Sequence, residues 1–143
     1  MNTLTSNSQI IYSTELPATD KYFELFGTTG RNEEYKLTKE ELALAISNSY
    51  LTISAYYKQR LVGFGRLVSD GIIHAMIYEM IIHPEYQFKG IGSEILKMLV
   101  NKCEENNIRD IQLFCAKSKR VFYEKHGFLA RPDDAPGMQL KRT

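Results

Sequence analysis

The spacing of apolar and polar positions changes several times along the chain, and each change predicts an element. Gln9-Ile10-Ile11-Tyr12-Ser13 is a short β-like run, and Pro17 then offers a favourable first-turn residue for a helix carrying Tyr22, Phe23, Leu25 and Phe26, which Gly27 stops. Gly27 to Leu37 has no period and reads as a loop between helices. Thr38-x-x-Glu41 then has the form of a capping box, opening a helix through Leu42, Ala45 and Ile46 that ends near Asn48. Leu51–Tyr57 and Leu61–Val68 are β-branched or aromatic runs joined by Lys58-Gln59-Arg60, the form of a hairpin. Ala75–Ile82 is apolar on both pleat faces apart from Glu79, as expected of a strand inside a sheet.

After the loop 83–89, Ile91, Ile95, Leu96, Leu99, Val100 and Cys103 recur at helical spacing, with a charged opposite face. Ile111–Cys115 reads as a buried strand, and Lys119–Lys125 as a short helix ended by Gly127. Met138–Leu140 is a candidate last strand beyond a loop rich in Pro, Asp and Gly. No internal repeat or linker interrupts this order.

A length of 143 residues predicts one domain, 1–143, with one core. Charge narrows the partners. With 18 basic against 17 acidic residues and only Lys117-Ser118-Lys119-Arg120 as a dense basic stretch, the chain lacks the broad positive surface of a nucleic-acid binder. No apolar run approaches the roughly 20 residues needed to cross a membrane, and Met1 to Gln9 lacks the apolar centre of a secretory signal, so a cytoplasmic protein without membrane partners is expected. Cys103 and Cys115, both in otherwise apolar segments, read as reduced structural thiols. His74, His83 and His126 show no ligand spacing, so no metal is expected.

The most informative stretch joins the buried strand to the strongest helix: Met80-Ile81-Ile82-His83-Pro84-Glu85-Tyr86-Gln87-Phe88-Lys89-Gly90-Ile91-Gly92-Ser93. The first N–H groups of a helix lack intrahelical partners and carry partial positive charge, which favours an anion there. Gly90 and Gly92 let an oxygen-rich group approach the backbone, and Lys89 adds a full charge. It is not a Walker loop, because Gly92 is followed by Ser93-Glu94 with no lysine inside the turn. A dinucleotide fingerprint would place a small residue at Ile95 and begin directly after the strand.

The Q-x-K-G-I-G pattern, preceded by Ile82-His83-Pro84-Glu85-Tyr86, resembles the pyrophosphate motif of the GNAT superfamily of N-acetyltransferases. Phe122-Tyr123-Glu124-Lys125-His126-Gly127-Phe128 resembles a downstream block of the same superfamily, and with the element order the resemblance covers nearly the whole chain. It implies an α/β fold of the mixed α+β kind, with a central mixed, mostly antiparallel sheet flanked by helices. It also implies acetyl-coenzyme A as co-substrate, no metal, and an amine acceptor that is a small molecule or a peptide. A homodimer stays open.

The resemblance places the coenzyme on Met80, Ile81, Ile82, Gln87, Phe88, Lys89, Gly90, Ile91, Gly92 and Ser93, with Ser118 and Phe122 as further contacts. Tyr123 becomes the candidate acid for the departing thiolate. Glu79, the only carboxylate in its strand, is a candidate base, with a buried carboxylate paired to arginine or backbone as the alternative; strict alternation would set it with Ile77 and Ile81, opposite Tyr78, Met80 and Ile82. Arg31, Glu33, Glu34 and Tyr35 fall in the inter-helix loop that often lines the acceptor side in this family.

Two positions depart from the family pattern: Ala116 stands where many members carry Asn, and Val121 where Ala is usual, so Ser118 or a backbone group would have to replace the Asn contact. A non-catalytic coenzyme A-binding sensor or subunit is therefore the alternative to an enzyme, and a nucleotide-binding regulator is a third reading. The acceptor has no diagnostic motif.

Overall fold

A computed structural model describes residues 9–142; the polar stretch before Gln9 lies outside the described residues. By internal packing the chain falls into two units, one ending at Gln112 and one beginning at Leu113. In the first unit, strand β1 (Ile10–Ser13) is followed by helices α1 (Thr19–Gly27), α2 (Asn32–Tyr35) and α3 (Lys39–Ser47). Strands β2 (Leu51–Tyr57), β3 (Arg60–Ser69) and β4 (His74–Ile82) come next, then helix α4 (Ile91–Glu105) and strand β5 (Asp110–Leu113), whose last residue is the first of the second unit. The sheet runs β1-β2-β3-β4-β5.

The first three pairings are antiparallel. The Asp110 N–H donates to the Ile73 carbonyl at 2.8 Å, so β5 starts beside the start of β4 and runs parallel to it. The sheet is mixed and mostly antiparallel, as the motif context implied. The β2–β3 turn needs two left-handed residues, and Lys58 (φ 48°) and Gln59 (φ 70°) supply them in the hairpin geometry that matches strand twist.

The predicted capping box at α3 is complete: Glu41 N–H donates to Thr38 Oγ1 at 3.1 Å, and Thr38 N–H donates to Glu41 Oε1 at 2.9 Å. Helices α1 and α3 bury Tyr22, Leu25, Phe26, Leu42 and Ile46 against Leu61, Phe64 and Ile81 on one face of the sheet. Helix α4 covers the other face, where two glycines of β3 let it approach: a β-carbon on Gly65 would lie 2.8 Å from Ile95 Cγ2 and Met80 Sδ, and one on Gly63 would lie 3.0 Å from Ile91 Cγ2.

Four sequence expectations are corrected. The stretch between Gly27 and Leu37 contains α2, a single turn closed by Lys36 at φ 57° and by the Asn32 side chain, which bonds both the N–H (2.8 Å) and the carbonyl (3.0 Å) of Leu37. One turn is too short to show a period. The strand expected at Ile111–Cys115 is Asp110–Leu113 and only half-buried, so Cys115 falls in the following loop, exposed, while Cys103 is buried as expected. Met138–Leu140 forms no strand, and Met138 and Leu140 are exposed. Finally, β4 does not alternate strictly, as described next.

Candidate functional site

The register of β3 on β4 slips once. Phe64 faces Ile81 and Arg66 faces Tyr78, so Gly65 stands opposite two residues, Glu79 and Met80. This is a β-bulge, with Glu79 in the left-handed region at φ 51°. A non-glycine residue there costs on the order of 1–3 kcal/mol and persists only when its surroundings hold it. Those surroundings are two arginines: Arg66 Nε donates to Glu79 Oε1 at 2.7 Å, and Arg31 Nη1 lies 3.4 Å from Glu79 Oε2.

The bulge reassigns the faces. Tyr78 pairs with Arg66, Ile81 with Phe64, and Glu79 reaches Arg66, so all three belong to the α1/α3 face. Met80 and Ile82 lie on the α4 face beside Gly65 and Gly63. Glu79 is paired with two arginines, and these partners were invisible in the sequence because neither is near it along the chain.

Beyond the bulge the main chain of β4 has a definite polarity. His83 N–H donates to the Val62 carbonyl at 2.8 Å. Alternation along the strand then turns both main-chain groups of Ile82, and the carbonyl of Met80, away from β3. The Ile82 carbonyl accepts instead from Gln87 Nε2 at 3.3 Å. Strand β5 has 4 residues against 9 in β4, so it flanks only the first half of β4 and leaves Met80–Ile82 without a partner in β5.

The loop that follows is pinned. His83, 8% exposed, accepts the Glu85 N–H on Nδ1 at 3.1 Å, starting a 3-10 turn at Pro84–Tyr86, and Arg60 Nη2 lies 3.0 Å from its Nε2. Tyr86 packs edge-on to His83 and against Tyr57, which fixes the approach to the glycine turn. In the sequence His83 stands within the Ile82–Tyr86 stretch and lacks metal-ligand spacing, whereas its anchoring role rests on contact with Arg60, 23 residues away.

Phe88 (φ 64°) and Gly90 (φ 86°) then take left-handed conformations, and Gly90 is the N-cap of α4. Among the described residues no side chain caps this helix, and a β-carbon on Gly90 would meet nothing within 4 Å. The N–H groups of Ile91 and Gly92 therefore begin a 15-residue helix from an open cradle at Gly90, while the Ile91 side chain is buried beneath it. Phe88, Lys89 and Gly90 are exposed around it. Met80, Ile81, Ile82, Gln87 and the residues 88–93 thus form one continuous strand, turn and helix start, with Ile81 turned into the α1/α3 core.

The second unit carries Tyr123 on helix α5 (Arg120–Lys125). Gly127 N–H donates to the Glu124 carbonyl and Phe128 N–H to the Tyr123 carbonyl, both at 3.1 Å, with Gly127 at φ 92°. This is the paired bonding of a Schellman helix end, and the Phe128 ring packs edge-on to Tyr123 with centroids 6.0 Å apart. Phe122 packs on both Tyr123 and His126. Burial, and secondarily the charge that Cys115 can carry, raise the Tyr123 phenol above its ordinary value of 10.0. Ser118 (φ 63°) donates its hydroxyl to the Lys117 carbonyl at 2.6 Å, while the Ala116 carbonyl accepts from Lys119 N–H and Cys115 Sγ. Among the described residues no group of three or more His, Cys, Asp or Glu is placed to hold a metal, and no helix is long and apolar enough to cross a membrane.

Known proteins resemble this chain in sequence and in fold. The chain is 33% identical over 103 residues to the uncharacterized N-acetyltransferase ycf52 of Gracilaria tenuistipitata var. liui, covering 69% of this chain and 57% of that protein. It is 30% identical over 109 residues to the histone acetyltransferase TAP1 of Glycine max, covering 68% of this chain and 47% of that one. The chain thus spans about half the length of these relatives. A GNAT-family acetyltransferase from Streptococcus pneumoniae superposes with a TM-score of 0.78 at 26% identity, covering 93% of this chain and 98% of that one. The PaiA N-acetyltransferase of Thermoplasma acidophilum, in complex with coenzyme A, shares the fold with a TM-score of 0.71 at 20% identity, over 85% and 91% of the two chains. Residues 24–135 match the acetyltransferase (GNAT) domain, and the chain belongs to that family.

Proposed function

We propose that this protein is an acetyl-coenzyme A-dependent N-acetyltransferase that acetylates a primary amine while both substrates are bound. One observation carries the reading: an uncapped helix start at an open glycine, joined by the pinned loop 83–89 to a strand whose last main-chain groups face away from the sheet partner. The donors fit the coenzyme. Its diphosphate suits the Ile91 and Gly92 N–H groups with Lys89 beside them, and its amide-bearing arm suits main-chain pairing with Met80 and Ile82 as an added strand would. When bound, it supplies an acetyl group activated as a thioester.

The protein's own residues then have three tasks: to align the amine, to let its proton leave, and to return a proton to sulfur. Alignment can supply the largest share of the rate. Tyr123 Oη is the candidate proton donor, because its raised pKa keeps it protonated throughout the neutral range. Glu79 is committed to two arginines, so the ammonium proton leaves through water in this reading. Ser118 and Phe122 remain proposed contacts from the second unit.

The occupied Glu79 carboxylate and Ala116 in place of the usual Asn favour one alternative, a coenzyme A-binding module without turnover. Incubation with acetyl-coenzyme A and a panel of amines separates the two. The enzyme releases free thiol only when an acceptor is present. A module binds coenzyme A in calorimetry yet turns over none of them, and absence of any binding at millimolar coenzyme A overturns both.

A further inference from the structure

The charged cluster at the β4 bulge is not neutral. Among the described residues Arg31 and Arg66 both pair with Glu79, two cations on one anion, for a formal sum of +1. The two arginines differ in what they have left to give. Arg66 has a side chain only 16% exposed, and besides Glu79 it bonds the Ala45 carbonyl at 3.3 Å and Ser49 Oγ at 3.2 Å. Its Nε and Nη1 donors are thus used within the fold. Arg31 is 42% exposed, touches Glu79 through one long contact of 3.4 Å, and rests its guanidinium over the Phe26 ring at 5.4 Å.

The backbone beneath Arg31 is built to hold it there. Thr28 and Thr29 bond their hydroxyls back to the Leu25 and Phe26 carbonyls, Gly30 turns at φ 77°, and Arg31 N–H donates to Thr29 Oγ1 at 3.1 Å. A guanidinium held by an aromatic face and a closed turn has little further freedom to lose on binding. It is aimed at Glu79, the neighbour of Met80, where the coenzyme arm is assigned above.

We infer that the acceptor amine carries a carboxylate and that Arg31 binds it, making Arg31 the residue that sets acceptor specificity; this rests on the acetyltransfer reading above. A carboxylate matches the site in charge and shape. One negative charge balances the sum of +1, whereas a phosphate near −2 would be under-compensated, the more so with Glu33 and Glu34 exposed on the following turn. Planar carboxylate also pairs with the fork of a guanidinium in two parallel bonds.

The test compares amino acids with their decarboxylated amines and their amides as acceptors, for the wild type, Arg31→Met and Arg31→Lys. The wild type is expected to prefer the carboxylate-bearing member by about 10- to 100-fold in kcat/KM, expressed mainly in KM, the range of a charged hydrogen-bonded pair. Arg31→Met abolishes the preference, and Arg31→Lys keeps part of it. A second readout needs no turnover: an N-acetyl amino acid raises the wild-type Tm more than its amide does, and the difference vanishes in Arg31→Met. Calorimetry with coenzyme A on each variant checks that the fold and the first site persist. Equal use of amines with and without carboxylate, or a preference that survives Arg31→Met, overturns the inference while coenzyme A binding leaves the acetyltransfer reading standing. Absence of coenzyme A binding by the wild type overturns both.

Discussion

Arg66 Nε donates to Glu79 Oε1 at 2.7 Å across the one point where β3 and β4 fall out of register. The bond joins a strained residue to the group that compensates its charge. Local and non-local energies therefore oppose each other at position 79, and substitutions there can separate them.

Glu79→Ala is expected to destabilise the protein by about 2 kcal/mol, because it leaves Arg66 uncompensated and keeps a β-carbon at positive φ. Glu79→Gly removes the same carboxylate but relieves the left-handed strain, so it should be more stable than Glu79→Ala by about 1 kcal/mol. Urea unfolding of the two variants measures the difference. Equal midpoints would show that the bulge stores no backbone strain.

Tyr22 is 1% exposed and its hydroxyl has no hydrogen-bond partner among the described residues. Tyr22→Phe should therefore change stability at pH 7 by less than about 0.5 kcal/mol or raise it, since an unpaired buried hydroxyl contributes nothing to recover its desolvation. Burial, and then the Glu79 charge, push the folded-state phenol well above its ordinary 10.0. Below pH 10 this group is protonated whether the chain is folded or unfolded. Above it only the unfolded chain gives up the proton, so stability falls as pH rises. Denaturation from pH 9 to 11 should show a shallower alkaline loss for Tyr22→Phe than for the wild type.

Gly127 ends α5 at φ 92° with open space where a β-carbon would go. Gly127→Ala thus carries a purely backbone cost of about 1–2 kcal/mol, and Gly127→Asn a smaller one. Amide hydrogen exchange at Gly127 and Phe128 reports the fraying directly. If Ala and Asn behave alike, the left-handed end is not what holds Tyr123 in place.

Gly90→Ala tests the cradle at the start of α4. Its φ of 86° predicts a loss of about 1–2 kcal/mol in stability, and a methyl group in the open space should weaken coenzyme A binding by about tenfold or more. Isothermal calorimetry against coenzyme A and against its dephosphorylated pantetheine fragment locates the loss. A diphosphate site predicts that only the whole coenzyme is affected.

Tyr123→Phe should lower kcat by about 10²- to 10⁴-fold with little change in the affinity for coenzyme A, the range of a lost proton donor. Because the phenol is raised above 10.0, the wild-type rate should show no alkaline decline from this group below that pH. A decline near neutrality that Tyr123→Phe removes would overturn the assignment.

Much of this protein is legible in local chemistry. The capping box at Thr38 and Glu41, the glycine turn at Gly90, and the helix end at Gly127 are each settled within a few residues, because orphan N–H groups, missing β-carbons and helical spacing act over one or two turns. The hydrophobic period of α4 is equally local. The bulge at Glu79 is not, for it depends on which residue of β3 stands opposite, and register is a property of two strands rather than one. The pairing of Glu79 with Arg31 and Arg66 spans 48 and 13 residues, and the anchoring of His83 by Arg60 spans 23. A charge declares its type in the sequence, but its partner, and so whether it is a free base or one half of an ion pair, is decided by the distances that folding creates.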